Sequence, residues 1–367
     1  MMRMTFRWFG SADPVPLRHI RQIPGMAGIV SALHDLPPGE DWPVESLLAQ
    51  RAMAEAEALE LRVIESIPVH EDIKLGGPRR DERVESWIRS MRAVAEALGP
   101  RSSASGSEAP VVITYNFMPV FDWMRSELDR PLEDGSTSLT YDAEAVARMD
   151  PIEGELALPG WLASYSRGEL QGLLEAYRGT PPETVYGNLV AFLRDVAPEA
   201  ERLGIKLALH PDDPPWPIFG IPRIMTGAAS VRRLFSDVTS PASGLCLCAG
   251  SFGADPANDI PAMAREFAGR VHFAHLRNVK ITSPGSFSET AHHSAAGSLD
   301  MAAIVEALVD TGYEGPIRPD HGRMIWGESG KPGYGLYDRA LGASYLTGLI
   351  ERSEYGRRRA NGDRAPV

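Results

Sequence analysis

Short runs of apolar and β-branched residues recur along the chain at Met4–Phe9, Gly28–Leu33, Leu61–Glu65, Val111–Asn116, Lys206–His210, Gly244–Cys248, Val271–His275 and Pro316–Asp320. Each is short enough for a buried strand and is bounded by polar or turn-forming residues. Between several of them the apolar period changes to that of a helix. Val84, Trp87, Ile88, Met91, Val94, Ala95 and Leu98 follow the i, i+3, i+4, i+7 rule, and Ile304 and Leu308 repeat it more briefly. Strands alternating with one-faced helices predict an α/β protein with a parallel sheet. Eight such units predict a (β/α)8 TIM barrel over residues 1–353, because a doubly wound dinucleotide-binding sheet would carry GxGxxG after its first strand and none follows Met4–Phe9.

The spacing is uneven at one place. Residues 117–205 separate the fourth run from the fifth, far more than a loop and one helix require, which predicts an insertion between strands 4 and 5 serving as lid or dimer contact. Within it Ser136–Asp142 reads as a short strand. The stretch from Ser166 to Gly179 reads as a helix, with Ser166 as N-cap and Glu169 three residues on. Residues 354–367 form a polar tail.

Composition narrows the function. A net charge of −12 leaves no basic footprint for nucleic acid, and no run approaches the ~20 apolar residues of a membrane span. The expectation is a cytoplasmic protein. The only two cysteines, Cys246 and Cys248, stand two positions apart in GLCLCAGS and point the same way along a strand, so they read as thiols or ligands rather than a disulfide framework.

The late strands end on metal-competent residues: His210, Cys248, His275 and Asp320. A barrel gathers its C-terminal strand ends on one rim, where barrel enzymes keep their chemistry, so two imidazoles, a thiol and a carboxylate there predict a metal site. His210 opens HPDDPPWPIFG, whose prolines fix φ at four positions and stiffen the loop that follows the ligand.

HPDDPPWPIFGIPRI, LCAGSFG, VHFAHLRNV, GSLDM, PDHGR and PGYGLYDRALGASYLTGL together resemble the D-mannonate dehydratase family. MTFRWFG, HIRQIPG, VIESIPVHEDIKLG and TYNFMPVFDWMRSEL extend the resemblance to nearly the whole chain. It implies a metal-dependent hydro-lyase of hexuronate degradation, on a barrel related to the xylose isomerase-like group. It further implies manganese, or ferrous iron, held by His210, Cys248, His275 and Asp320, conversion of D-mannonate to 2-keto-3-deoxy-D-gluconate and water, and a homodimer or higher homo-oligomer.

Dehydrating a 2,3-dihydroxy acid requires a base for the proton beside the carboxylate and an acid for the departing hydroxyl. His321 and Tyr334 match the family's motif as that pair, with the two roles unassigned between them. Arg7, Asn116, Arg277 and Asn278 are candidates for the substrate's carboxylate and hydroxyls, and His292 sits in a stretch resembling a family loop that lines the site. A metal-dependent sugar isomerase or epimerase of the same barrel group is the alternative, though such sites favour carboxylates, whereas a thiol points to a softer single ion.

Overall fold

Twelve strands are present among the described residues, 2–99, 109–152 and 166–360, of the computed structural model. They are β1 (Arg3–Arg7), β2 (Met26–Ser31), β3 (Glu60–Glu65), β4 (Val112–Tyr115), β5 (Glu127–Pro131), β6 (Thr137–Tyr141), β7 (Lys206–Leu209), β8 (Ser243–Cys248), β9 (Val271–His275), β10 (Val279–Ser283), β11 (Ser286–Glu289) and β12 (Pro316–Arg318). Eight pair in parallel and close in the order β1-β12-β9-β8-β7-β4-β3-β2, a (β/α)8 barrel. Each of the eight predicted runs contributes one of these strands, with no end shifted by more than two residues.

Period-two alternation decides what fills the barrel. Val30, Val63, Val112, Ala208, Cys246 and Phe273 point inward from six strands and form a buried layer of their own. Two residues further along, the inward positions are Glu65 on β3, Thr114 on β4, His210 after β7, Cys248 on β8 and His275 on β9. An apolar plug therefore carries a polar layer on its upper side. Outside the barrel, the helix Arg80–Leu98 buries Val84, Trp87, Ile88, Met91, Val94 and Leu98, six of the seven residues in its predicted stripe.

The region after β4 differs from the simple insertion expected. Its last part, the helix Pro182–Leu203, packs against β7 and the helix Arg80–Leu98 as an ordinary crossover helix, so the excursion proper ends near residue 181. Nor do β5 and β6 stand alone. They join β10 and β11, an excursion that follows β9, in a four-stranded antiparallel sheet of order β10-β11-β6-β5, with Tyr141 opposite Phe287. Ser166 and Glu169 form the predicted capping box. Residues 354–360, expected in a polar tail, continue the final helix Tyr337–Ala360; the rest of that tail lies outside the described residues. Among the described residues no helix is long and apolar enough to cross a membrane.

Candidate active site

The polar layer opens into a cavity of about 440 Å³ at the C-terminal rim, lined among others by His210, Asp320, His321, Tyr334, Arg7 and Asn116. The ligand atoms of His210, which lines this cavity, and of Cys248 and His275, which do not, lie within 4.8 Å of one another. Register brings two of them together, because Cys248 pairs with His275 across β8 and β9. Asp320 follows β12 by two residues and completes the cluster from the side: its Oδ2 is 3.8 Å from Cys248 Sγ and 3.8 Å from His275 Nδ1.

The surroundings of these donors suit a metal ion. His210 Nδ1 donates to the Pro211 carbonyl at 2.7 Å, which leaves Nε2 with its lone pair. His275 is wholly buried, yet neither ring nitrogen makes a hydrogen bond, a costly state for an imidazole with no further partner. Ser251 Oγ lies 3.1 Å from Cys248 Sγ. One thiol, two imidazoles and a carboxylate make a borderline-soft donor set. Burial would raise the Asp320 carboxyl, but His321, Arg318, His275 and Arg277 outweigh it and hold the group well below the usual carboxylate range.

Beside the cluster stand His321 and Tyr334, the two residues expected to act as acid and base. His321 Nδ1 donates to Glu289 Oε1 at 2.8 Å, so its free lone pair is on Nε2, and the ring packs between Trp123 and Tyr334 at 4.6 and 4.8 Å. Glu289 stays ionised: burial opposes this, but His321, Arg277 and Arg125 hold its carboxyl below the ordinary value. Tyr334 packs edge-on against Phe9 at 4.8 Å, and burial raises its phenol above the ordinary value despite Arg318. The phenol therefore keeps its proton through the neutral range.

The expected substrate contacts divide. Arg7 lines the cavity, with Nη2 3.2 Å from His34 Nε2. Asn116 also lines it, but its amide is engaged by Asp122 and by the Met118 amide, which shapes the loop after β4. Arg277 does not offer a free fork. It lines the cavity, but its Nε, Nη1 and Nη2 bond Asp320, Glu289 and Asp213 at 2.7, 3.1 and 2.5 Å, so its fork is occupied by acids of the site. Asn278 and His292 lie away from the cavity wall. Asn278 ties the His293 carbonyl to the Leu299 amide, and His292 props the Pro319 carbonyl just before Asp320.

Sequence reasoning missed Glu65, Arg125, Arg318 and Glu289. Arg125, fully buried, binds Asp213 at 2.8 and 3.2 Å and Glu289 at 2.7 Å, so it fastens the first excursion to the proline loop and to the second excursion. The other aspartate of that loop, Asp212, accepts from the Ile224 and Met225 amides at 2.6 and 2.7 Å. Both acids after His210 are thus used to fix the ligand's loop.

Against this geometry, a sequence profile of the D-mannonate dehydratase (UxuA) family matches residues 2–359. Mannonate dehydratase 2 of Halalkalibacterium halodurans is 53% identical over 352 residues, 95% of this chain and 99% of that protein. The crystal structure of mannonate dehydratase from Streptococcus suis serotype 2 superposes with a TM-score of 0.87 at 45% identity, covering all of this chain and 98% of that one. A xylose isomerase domain protein from Planctomyces limnophilus shares the fold, with a TM-score of 0.57 at 15% identity over 96% of this chain and 99% of that one.

Proposed function

The chain belongs to the D-mannonate dehydratase family, whose activity, dehydration of a sugar acid, is its function; from that premise we propose how its residues divide the work. D-mannonate enters the cavity at the barrel rim and leaves as 2-keto-3-deoxy-D-gluconate and water. His210, Cys248, His275 and Asp320 hold manganese or ferrous iron. That ion, when bound, stabilises negative charge growing on the substrate's oxygens.

His321 takes the C2 proton through Nε2, with Glu289 holding its Nδ1–H and so fixing the tautomer. Tyr334, protonated at neutral pH, gives its proton to the hydroxyl leaving C3. Trp123 and Phe9 flank the pair and keep bulk water from it. The sheet β10-β11-β6-β5 holds Glu289 over the rim, and Ser138 Oγ donates to the Glu289 carbonyl at 2.6 Å. We place the reaction in the cytoplasm and the chain in a homodimer or higher homo-oligomer, which sedimentation measures.

The observation that carries this reading is the meeting, at one cavity lined by His210 and Asp320 of the donor cluster, of that cluster with a carboxylate-backed imidazole and a neutral phenol. Incubation with manganese and D-mannonate should release a 2-keto-3-deoxy acid and no epimer. An epimeric sugar acid, or an aldose–ketose exchange, would instead assign the site to the isomerase chemistry of its fold relatives.

A further inference from the structure

Glu65 ends β3 on the cavity wall and belongs neither to the donor cluster nor to the proton-transfer pair. Its Oε1 lies 3.4 Å from His275 Nε2, and the same oxygen receives Arg318 Nη2 at 3.2 Å. Arg318 Nη2 also binds Asp320 Oδ1 at 2.6 Å, so one guanidinium holds two carboxylates on opposite sides of the His275 ring. The nearest carboxylate to Nδ1 is Asp320, at 3.8 Å, whose Oδ2 is equally far from Cys248 Sγ.

An imidazole that ligates a metal uses one nitrogen as ligand and gives the other N–H to an acceptor, commonly a carboxylate, which fixes tautomer and ring orientation. At His275 the two sides are distinguishable. Nδ1 faces Asp320, itself a member of the donor cluster. Nε2 faces Glu65, held in place by Arg318. At His210 the polarity is the reverse, since Nδ1 is committed to the Pro211 carbonyl.

Resting on the metal reading above, we propose that Glu65 is a positioning residue: it takes the Nε2–H of His275, so that His275 ligates through Nδ1 while His210 ligates through Nε2. Glu65 itself touches neither ion nor substrate in this role. Arg318 keeps the carboxylate ionised and aimed. The buried, unpartnered nitrogens of His275 then each acquire a partner, one the ion and the other a carboxylate that moves in by a few tenths of an ångström.

Two measurements decide it, and neither needs D-mannonate. In the zinc-loaded, ¹⁵N-histidine-labelled chain, long-range ¹H–¹⁵N spectra should show one ligand histidine bound through Nε2 and one through Nδ1, the latter assigned to His275 by its loss in His275→Gln. Two Nε2-bound ligands would overturn the inference. In Glu65→Ala, manganese affinity, read by competition with a chelator, should fall about 10- to 100-fold, as for other carboxylates behind metal-binding histidines. The metal-free melting temperature should stay near the parent's. Parent-like manganese affinity in that variant would also overturn it. A parent chain that binds neither zinc nor manganese would remove the metal reading itself; a metal-loaded parent with His275 bound through Nε2 would leave that reading standing and remove only the role of Glu65.

Discussion

Tyr334→Phe isolates the acid. Among the described residues the phenol oxygen makes no hydrogen bond to protein, while the ring packs on Phe9 and His321, contacts that phenylalanine preserves. The folded state loses no partner, so stability should change by less than about 1 kcal/mol. The chemistry should lose a positioned general acid, about 10²- to 10⁴-fold in turnover, or roughly 3–5 kcal/mol of barrier. Because burial raises the phenol's pKa, Tyr334 stays protonated as pH rises through neutrality, and the parent should lose no activity there through this group. The assay is release of 2-keto acid, alongside manganese content and melting temperature. Recovered substrate is then examined for solvent deuterium at C2. With His321 intact, exchange should persist in Tyr334→Phe and vanish in His321→Gln. Near-parent turnover in Tyr334→Phe at full metal content would refute the assignment of the acid.

Three further outcomes are expected. Cys248→Ser should lose manganese and activity together, whereas Cys246→Ser, one layer down in the apolar plug, should keep its metal and melt lower by the cost of a buried hydroxyl, about 1–3 kcal/mol; equal metal loss in both would reject the ligand assignment. Arg125→Met leaves Asp213 and Glu289 short of a buried partner and should cost about 3–5 kcal/mol, with faster proteolysis in residues 117–181; an unchanged melt would show that the clamp is dispensable. His272, buried with Nδ1 on the Leu207 carbonyl at 2.8 Å, has its pKa lowered to about 4, chiefly by burial. Its contribution is fully present above pH 6.5 and is lost as pH falls toward 4, because the unfolded chain takes the proton first. Up to about 3 kcal/mol is lost in that window, and urea titrations of His272→Gln should show a shallower decline.

The barrel was legible because its strands are buried on both faces and read as apolar runs, and because helices show their own period. Strand ends led to His210, Cys248, His275 and Asp320 by one geometric rule. The same rule applied to the early strands reaches Glu65, which ends β3 as His275 ends β9. Arg125 and Glu289 had no such signal. Glu289 sits on one hairpin and Arg125 just before the other, their partners are distant in sequence, and no local period records which hairpin meets which. The partners of Arg277 were hidden for a related reason: a guanidinium next to a ligand strand looks free until the three acids around it are placed.

The sheet over the rim has a temporal consequence. Thr140 and Ser288, hydrogen-bonded partners in it, are 148 residues apart along the chain. Closing so long a loop is entropically expensive until other contacts have shortened it, and the barrel strands β7, β8 and β9 lie between the two hairpins. During synthesis the first hairpin therefore waits, edge exposed, until β9 and the second hairpin have emerged. Glu289 can take its place only then, and Asp320 and Tyr334 arrive later still. A chain truncated before β10 would retain His210, Cys248 and His275 but lack Asp320, His321, Tyr334 and the strand β12 that closes the barrel, and would carry an unpaired sheet edge.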